Sequence, residues 1–160
     1  MLPLTDKTIR ASFMNASRKE ASSLTLPADF DAIDWDRLDY LGWRDPKFDR
    51  RAYVIVPNLD GDLTGILLRH PGVARRNSAQ CSWCSDTSIP NSVVMYNAKR
   101  SGESGRNGNT VGALVCEDFQ CSRNARRPPI PWYEDFDVEA ERRRQIEELQ
   151  LRVAAFAARV

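Results

Sequence analysis

Residues 81–121 read CSWCSDTSIPNSVVMYNAKRSGESGRNGNTVGALVCEDFQC and hold all four cysteines of the chain. They fall in two pairs, Cys81 with Cys84 and Cys116 with Cys121, in the spacing C-x2-C-x31-C-x4-C. Two thiolates three residues apart reach one ion from a tight turn, and two such pairs complete the all-cysteine tetrahedron that Zn²⁺ favours. Between them, SVVMYNAKR and TVGALVC read as strands around a polar, glycine-rich loop, SGESGRNGN. Cys116 closes the second strand. Cys121 falls in the first turn of a short helix within EDFQCSRNARR, where acids precede arginines in the order that suits a helix dipole. A helix N-terminus also favours thiolate. Knuckle, hairpin, second knuckle and helix predict a treble-clef zinc finger. The 31 residues between the pairs exceed the usual ribbon spacing, but loop-closure cost grows only logarithmically with length.

Paired cysteines have two other common uses. A thioredoxin-type CxxC needs a βαβ setting and has no need of a second pair. Disulfides belong to oxidising compartments, and the N-terminus MLPLTDKTIR lacks the basic-then-apolar layout of a signal peptide. The cytoplasm is the expected compartment. Catalytic zinc sites keep one position open, whereas four cysteines fill the shell, so the expected role of zinc is structural. The single histidine, His70, lies outside the pairs at the end of a predicted strand and reads as a surface or edge residue. No phosphate-binding glycine motif is present, since SGESGRNGNTVG leads into a strand with no Lys-Ser/Thr after it. No nucleophile–His–acid set stands out, and Asp31, Asp34, Asp36 and Asp39 read as caps and solvated acids. No catalytic residue and no small-molecule substrate are expected.

The 160 residues suffice for one domain or a domain with an appended subdomain. No window approaches the ~18 apolar residues of a membrane span. Charge is placed unevenly. Residues 69–127 carry nine Lys/Arg against four acids, a net +5, while residues 1–68 and 128–160 each carry −2. A basic zinc-finger segment suits RNA or an acidic protein face.

The flanks read as follows. Thr5 caps a helix over DKTIRASFMNA, and Ser17 with Glu20 forms a capping box before RKEASSL. A helical turn over WDRLDYL is expected to stop at Gly42. RAYVIVP and LTGILLR form a hairpin around the Asp60-Gly61 turn signal. After a proline-rich turn, RPPIPWYEDF, a long helix from about Val138 to Arg159 carries one apolar stripe: Ile146, Leu149, Val153, Phe156 and Val160. The expected organisation is an N-terminal helical region (1–50), β-hairpins with the zinc finger (51–127), and the turn with the C-terminal helix (128–160). The fold class is thus α+β. Trp83, inside the first knuckle, reads either as an outward recognition anchor or as a side chain packed on the neighbouring hairpin.

CSWC … GRNGNTVGALVCEDFQCSRNARR, preceded by LDYLGWRD and followed by a charged helix, resembles the elongation factor G-binding protein family. Its treble-clef domain is shared with the fusidic acid resistance proteins. The resemblance implies Cys81, Cys84, Cys116 and Cys121 as ligands of a structural Zn²⁺. It implies elongation factor G as partner, with release of the factor from a drug-stalled ribosome in the resistance proteins. Regionally, it implies a contact surface around the first knuckle (Trp83), the hairpin (Lys99, Arg100, Arg106, Asn107, Asn109, Thr110) and the segment after the fourth cysteine (Arg126, Arg127, Trp132). The resistance proteins have a longer N-terminal helical bundle than this chain. Direct binding to the ribosome or its RNA is the alternative, because arginines beside an aromatic suit phosphate contact and base stacking.

Overall fold

A computed structural model describes residues 1–58, 61–70, 72, 79–86 and 92–160. Two capped helices open the chain: α1 (Asp6–Ala11) and α2 (Arg18–Ser23). Thr5 and Ser17 each accept from the N3 backbone N–H, and Thr8 and Glu20 return the bond, so both boxes are complete. Five strands follow: β1 (Leu41–Arg44), β2 (Arg51–Pro57), β3 (Leu63–Arg69), β4 (Val93–Lys99) and β5 (Thr110–Cys116). They form one antiparallel meander in the order β1-β2-β3-β4-β5. The short helix α3 (Gly102–Arg106) lies between β4 and β5, α4 (Cys121–Ala125) follows β5, and α5 (Val138–Ala157) ends the chain. The architecture is α+β with a treble-clef core.

Alternation along the strands divides the core in two. Ala52, Val54 and Val56 of β2 join one cluster with Ile66, Tyr96, Val115, Trp83, Phe119 and the α5 residues Leu149, Val153 and Phe156. Tyr53 and Ile55 point the other way, into a cluster with Ile9, Leu24, Leu41, Trp43 and Leu67. The predicted α5 stripe is therefore the face that packs on the sheet. Val160 is buried and Ile146 packs at the cluster's margin.

β3 and β4 pair only at Leu68–Ala98 and Arg69–Asn97, so β3 is open over most of its length. The N-terminal segment fills that gap. Gly65 donates to the Ser12 carbonyl (2.9 Å) and accepts from Met14 (3.0 Å). Asn15 accepts from the Leu67 N–H (2.8 Å) and donates to the Leu67 and Lys99 carbonyls (3.0 and 2.8 Å). One asparagine thus stands in for a missing rung of the ladder.

Two expectations are corrected. WDRLDYL contains only a 3₁₀ turn (Trp35–Arg37), and Gly42 lies inside strand β1 instead of stopping a helix. A Cβ on Gly42 would sit 2.7 Å from the Phe119 ring, so glycine is needed here for close packing across the chain. SGESGRNGN is not only a loop, since it contains α3. Of the hairpin turn between β2 and β3, Leu59 and Asp60 lie outside the described residues, while Asn58 donates to the Asp62 carbonyl at 2.7 Å. Arg75 and Arg76, part of the basic segment, also lie outside them.

Candidate metal centre and the surfaces around it

The four cysteine sulfurs lie within 4.8 Å of one another. Cys81 Sγ is 3.6 Å from Cys121 Sγ, and Cys84 Sγ is 3.7 Å from Cys116 Sγ. These distances are far from the ~2.05 Å of a disulfide. They match the edge, ~3.8 Å, of a tetrahedron with sulfurs ~2.3 Å from its centre. All four thiols are free, and all but Cys84 are fully buried.

Local turns aim the sulfurs. Ser85 N–H donates to the Cys81 carbonyl and Phe119 N–H to the Cys116 carbonyl, each at 3.0 Å. Each turn needs a left-handed residue, Ser85 at φ 53° and Phe119 at φ 57°. A phenylalanine in that region costs of order 1–3 kcal/mol. Packing holds it there: its ring stacks on Tyr96 at 4.9 Å and lies over Gly42. Cys121 opens α4, as the spacing predicts.

Asn124 completes the environment. It follows Cys121 by one helical turn and is buried, with Nδ2 3.6 Å from both Cys84 Sγ and Cys116 Sγ. Trp83 N–H donates to Cys81 Sγ at 3.4 Å. Donors aimed at sulfur favour thiolate over thiol. Hydrogen bonds from Cys116, Cys121 and Cys84 pull Cys81 far below the ordinary thiol range, while Cys121 is pushed far above it by Cys116, Cys81, Cys84 and burial. One thiolate thus blocks the next. Four can coexist in one buried pocket only around a cation, and a divalent ion with soft-ligand affinity meets that need. The donor set, spacing and burial fit Zn²⁺. Asn124 was missed in the sequence, although its i+3 offset from Cys121 puts it on the cysteine's side of α4.

The knuckle is locked to its surroundings. Trp83 is buried, with its ring edge-on to Tyr40 (5.2 Å) and Phe156 (5.5 Å). An outward-pointing anchor at Trp83 is therefore corrected: the indole fills the space between the sheet and α5, where its apolar area is removed from water. Arg152 of α5 donates to the Trp83 carbonyl (3.2 Å) and Ser85 Oγ (2.8 Å).

Asp39 is not a solvated acid. Its buried carboxylate accepts from both outer nitrogens of Arg126 and from Gln150 Nε2 (2.9 Å). Its N–H donates to Ser122 Oγ of α4 at 3.1 Å. Arg126 is thus committed to a bidentate pair within the fold. His70 is likewise corrected from surface to buried. Its Nδ1 accepts from Gly72 N–H (2.9 Å), its ring lies against Tyr96, and it takes no place in the sulfur cluster.

The remaining predicted contact residues separate into two regions. Lys99, Arg100, Arg106, Asn107, Asn109 and Thr110 surround α3 and are exposed. Val93 pairs with Cys116 at the metal end of the β4–β5 ladder and Lys99 with Thr110 at the other. At ~3.4 Å per residue the two ends are roughly 20 Å apart. Arg127 and Trp132 lie beyond α4. Trp132 is 80% exposed and forms an aromatic trio with Tyr133 (4.8 Å) and Phe136 (6.4 Å).

No helix among the described residues is long and apolar enough to cross a membrane. No curated protein matches the chain. Among solved structures, that of the fusidic acid resistance protein FusC is similar, with 23% identity and a TM-score of 0.48 over 64% of this chain. The match covers 44% of that chain, so this protein spans less than half its length. The profile of the FBP C-terminal treble-clef zinc-finger matches residues 8–160, and on that match, together with the four-sulfur cluster, the protein belongs to this treble-clef zinc-finger family.

Proposed function

We propose that this protein is a non-catalytic, cytoplasmic zinc-binding factor that binds translation elongation factor G and promotes its release from the ribosome. In this reading Cys81, Cys84, Cys116 and Cys121 hold one structural Zn²⁺. The observation that carries it is the closed four-sulfur cluster, which ties the knuckle, β5 and α4 into one rigid unit without an open coordination position. Membership of the treble-clef family and the net +5 of residues 69–127 support it. The exposed basic and amide side chains around α3, together with Arg127 and Trp132, offer the contact surface. Arg126 acts by holding α4 against Asp39. The test is calorimetry of the zinc-loaded protein with purified elongation factor G, ribosomes absent. A saturable complex that is lost on chelation supports the reading. No heat and no co-migration on gel filtration overturn it.

A second reading, direct binding of ribosomal RNA, is favoured by the exposed Trp132 and Tyr133, backed by half-buried Phe136 and close in sequence to Arg127. Stacking on such aromatics contributes about 1–3 kcal/mol per base. Affinity for RNA that falls steeply with salt, with none for the purified factor, selects it.

A further inference from the structure

The outer edge of β1 has no backbone partner among the described residues, whereas the outer edge of β5 keeps a bond to the knuckle. The open stretch of β3 is filled by residues 12–14 and by Asn15. On β5, the Leu114 carbonyl accepts from the Ser82 N–H of the knuckle at 2.7 Å. On β1, Asp45 N–H bonds the Arg51 carbonyl at 2.9 Å, and the register runs Trp43–Tyr53 and Leu41–Ile55. In an antiparallel pair hydrogen-bonded positions alternate, so Gly42 and Arg44 turn their N–H and C=O away from β2. No bond to these four groups exists among the described residues.

That edge opens into a groove of about 1000 Å³ which all four β1 residues line. One wall, from residues 27–38, offers Pro27, Ala32 and Ile33. The other, from α4 and the start of α5, offers Arg123, Arg126, Arg127 and Arg142. Six arginines line the groove against three aspartates, Asp29, Asp34 and Asp118. Arg126 is paired with Asp39, Arg142 with Glu139, Arg37 with Asp34, and Arg44 with Glu117 and, at 3.9 Å, Asp118. Arg123 and Arg127 form no ion pair and no side-chain hydrogen bond among the described residues.

We propose that this groove receives an extended, acidic peptide segment of a partner protein, which adds to β1 as a sixth strand. The Gly42 and Arg44 backbone groups supply the ladder bonds. Successive residues of an added strand face opposite walls. Alternate acidic side chains then meet Arg123 and Arg127, and the intervening apolar ones meet Pro27, Ala32 and Ile33. Gly42 keeps the strand narrow where Phe119 already covers its other side. β1 stands at the opposite edge of the sheet from β5 and the α3 region, and the groove shares Arg127 with the contact surface proposed above.

The test uses the zinc-loaded full chain and a blocked synthetic peptide of alternating valine and glutamate, followed by NMR. Binding is expected to slow hydrogen exchange at the Gly42 and Arg44 amides by about tenfold or more. The same peptide N-methylated on its strand-pairing face is expected not to bind, a comparison that needs no protein variant. The double variant Arg123→Glu/Arg127→Glu is expected to weaken the peptide by about tenfold or more. Equal binding of a valine–lysine peptide, equal binding of the N-methylated peptide, or protection confined to residues outside β1 overturns the proposal. So does a single-stranded oligouridylate that occupies the groove while the peptide does not.

Discussion

The two coats of the sheet are built from different materials. One face of β1–β3 is covered by the N-terminal segment, where Ile9, Leu24, Trp43, Tyr53 and Ile55 bury apolar area and Tyr53 Oη donates to the buried Asp45 carboxylate at 2.7 Å. The opposite face meets Trp83, Phe119 and α5, and these are positioned by turns that converge on four sulfurs. The first coat is held by surface removed from water, which is lost gradually as side chains are trimmed. The second depends on one cluster whose thiols repel each other's ionisation, and it is secure only when a cation sits among them. The same strand, β2, contributes to both coats through alternate residues, so removing one support tests how far the other stands alone.

The largest expected effect comes from metal removal. Chelation, or Cys116→Ser, is expected to withdraw on the order of 10 kcal/mol from the folded state. Amide protection should vanish first in residues 79–86 and 110–127, while the Ile55 and Leu67 amides stay protected longest. Simultaneous loss in both coats, measured by hydrogen exchange with mass spectrometry, would erase the distinction. Because thiols must be deprotonated to hold metal, zinc release should set in as pH falls.

The reverse experiment trims the apolar coat. Trp43→Ala is expected to cost about 3–5 kcal/mol in urea unfolding while one zinc per chain remains by elemental analysis. A variant that also loses its metal would show the coats to be one cooperative unit. Next in size is Asn124→Ala, which removes the shared donor to Cys84 and Cys116. A loss of about 10–100-fold in zinc affinity is expected by competition with a chromophoric chelator, since outer partners of metal ligands typically contribute that much. Unchanged affinity would show the amide to be mere filling.

The smallest effect concerns His70, which lies at the seam near β4. Burial first, and the Arg44 guanidinium second, hold its pKa below the ordinary value, with Glu117 opposing. The unfolded chain therefore binds the proton more readily than the folded one. Its contribution to stability is present above about pH 6.5 and is lost as pH falls towards the folded pKa. His70→Gln should flatten the stability profile in that window, and an unaltered slope in urea melts between pH 5 and 7 would refute this.

Much of the fold was legible because its signals are short. The Thr5 cap, the Ser17–Glu20 capping box, the β2–β3 and β4–β5 strands, Cys121 at a helix start and the α5 stripe each depend on neighbours a few residues apart, and all appear in the structure. The paired cysteines were equally plain, since only a shared site makes use of two such pairs. Less legible was anything set by contact between distant segments. Gly42 looked like a helix stop because the Phe119 ring that occupies its missing side chain lies more than seventy positions away. Asp39 looked solvated because Arg126 and Gln150 reach it from α4 and α5.

By itself, then, the sequence determined the α+β class, the order of most elements and which four residues meet at one centre. These follow from local periodicity, capping and ligand spacing, which act before the chain has folded on itself. Only the tertiary structure decided that the hairpins fuse into one five-stranded sheet, that Trp83 turns inward, that the predicted contact residues separate into two regions and that β1 keeps an open edge. Side-chain direction and edge exposure are settled by whatever packs across a gap, and that neighbour is fixed by long-range burial, which no local pattern encodes.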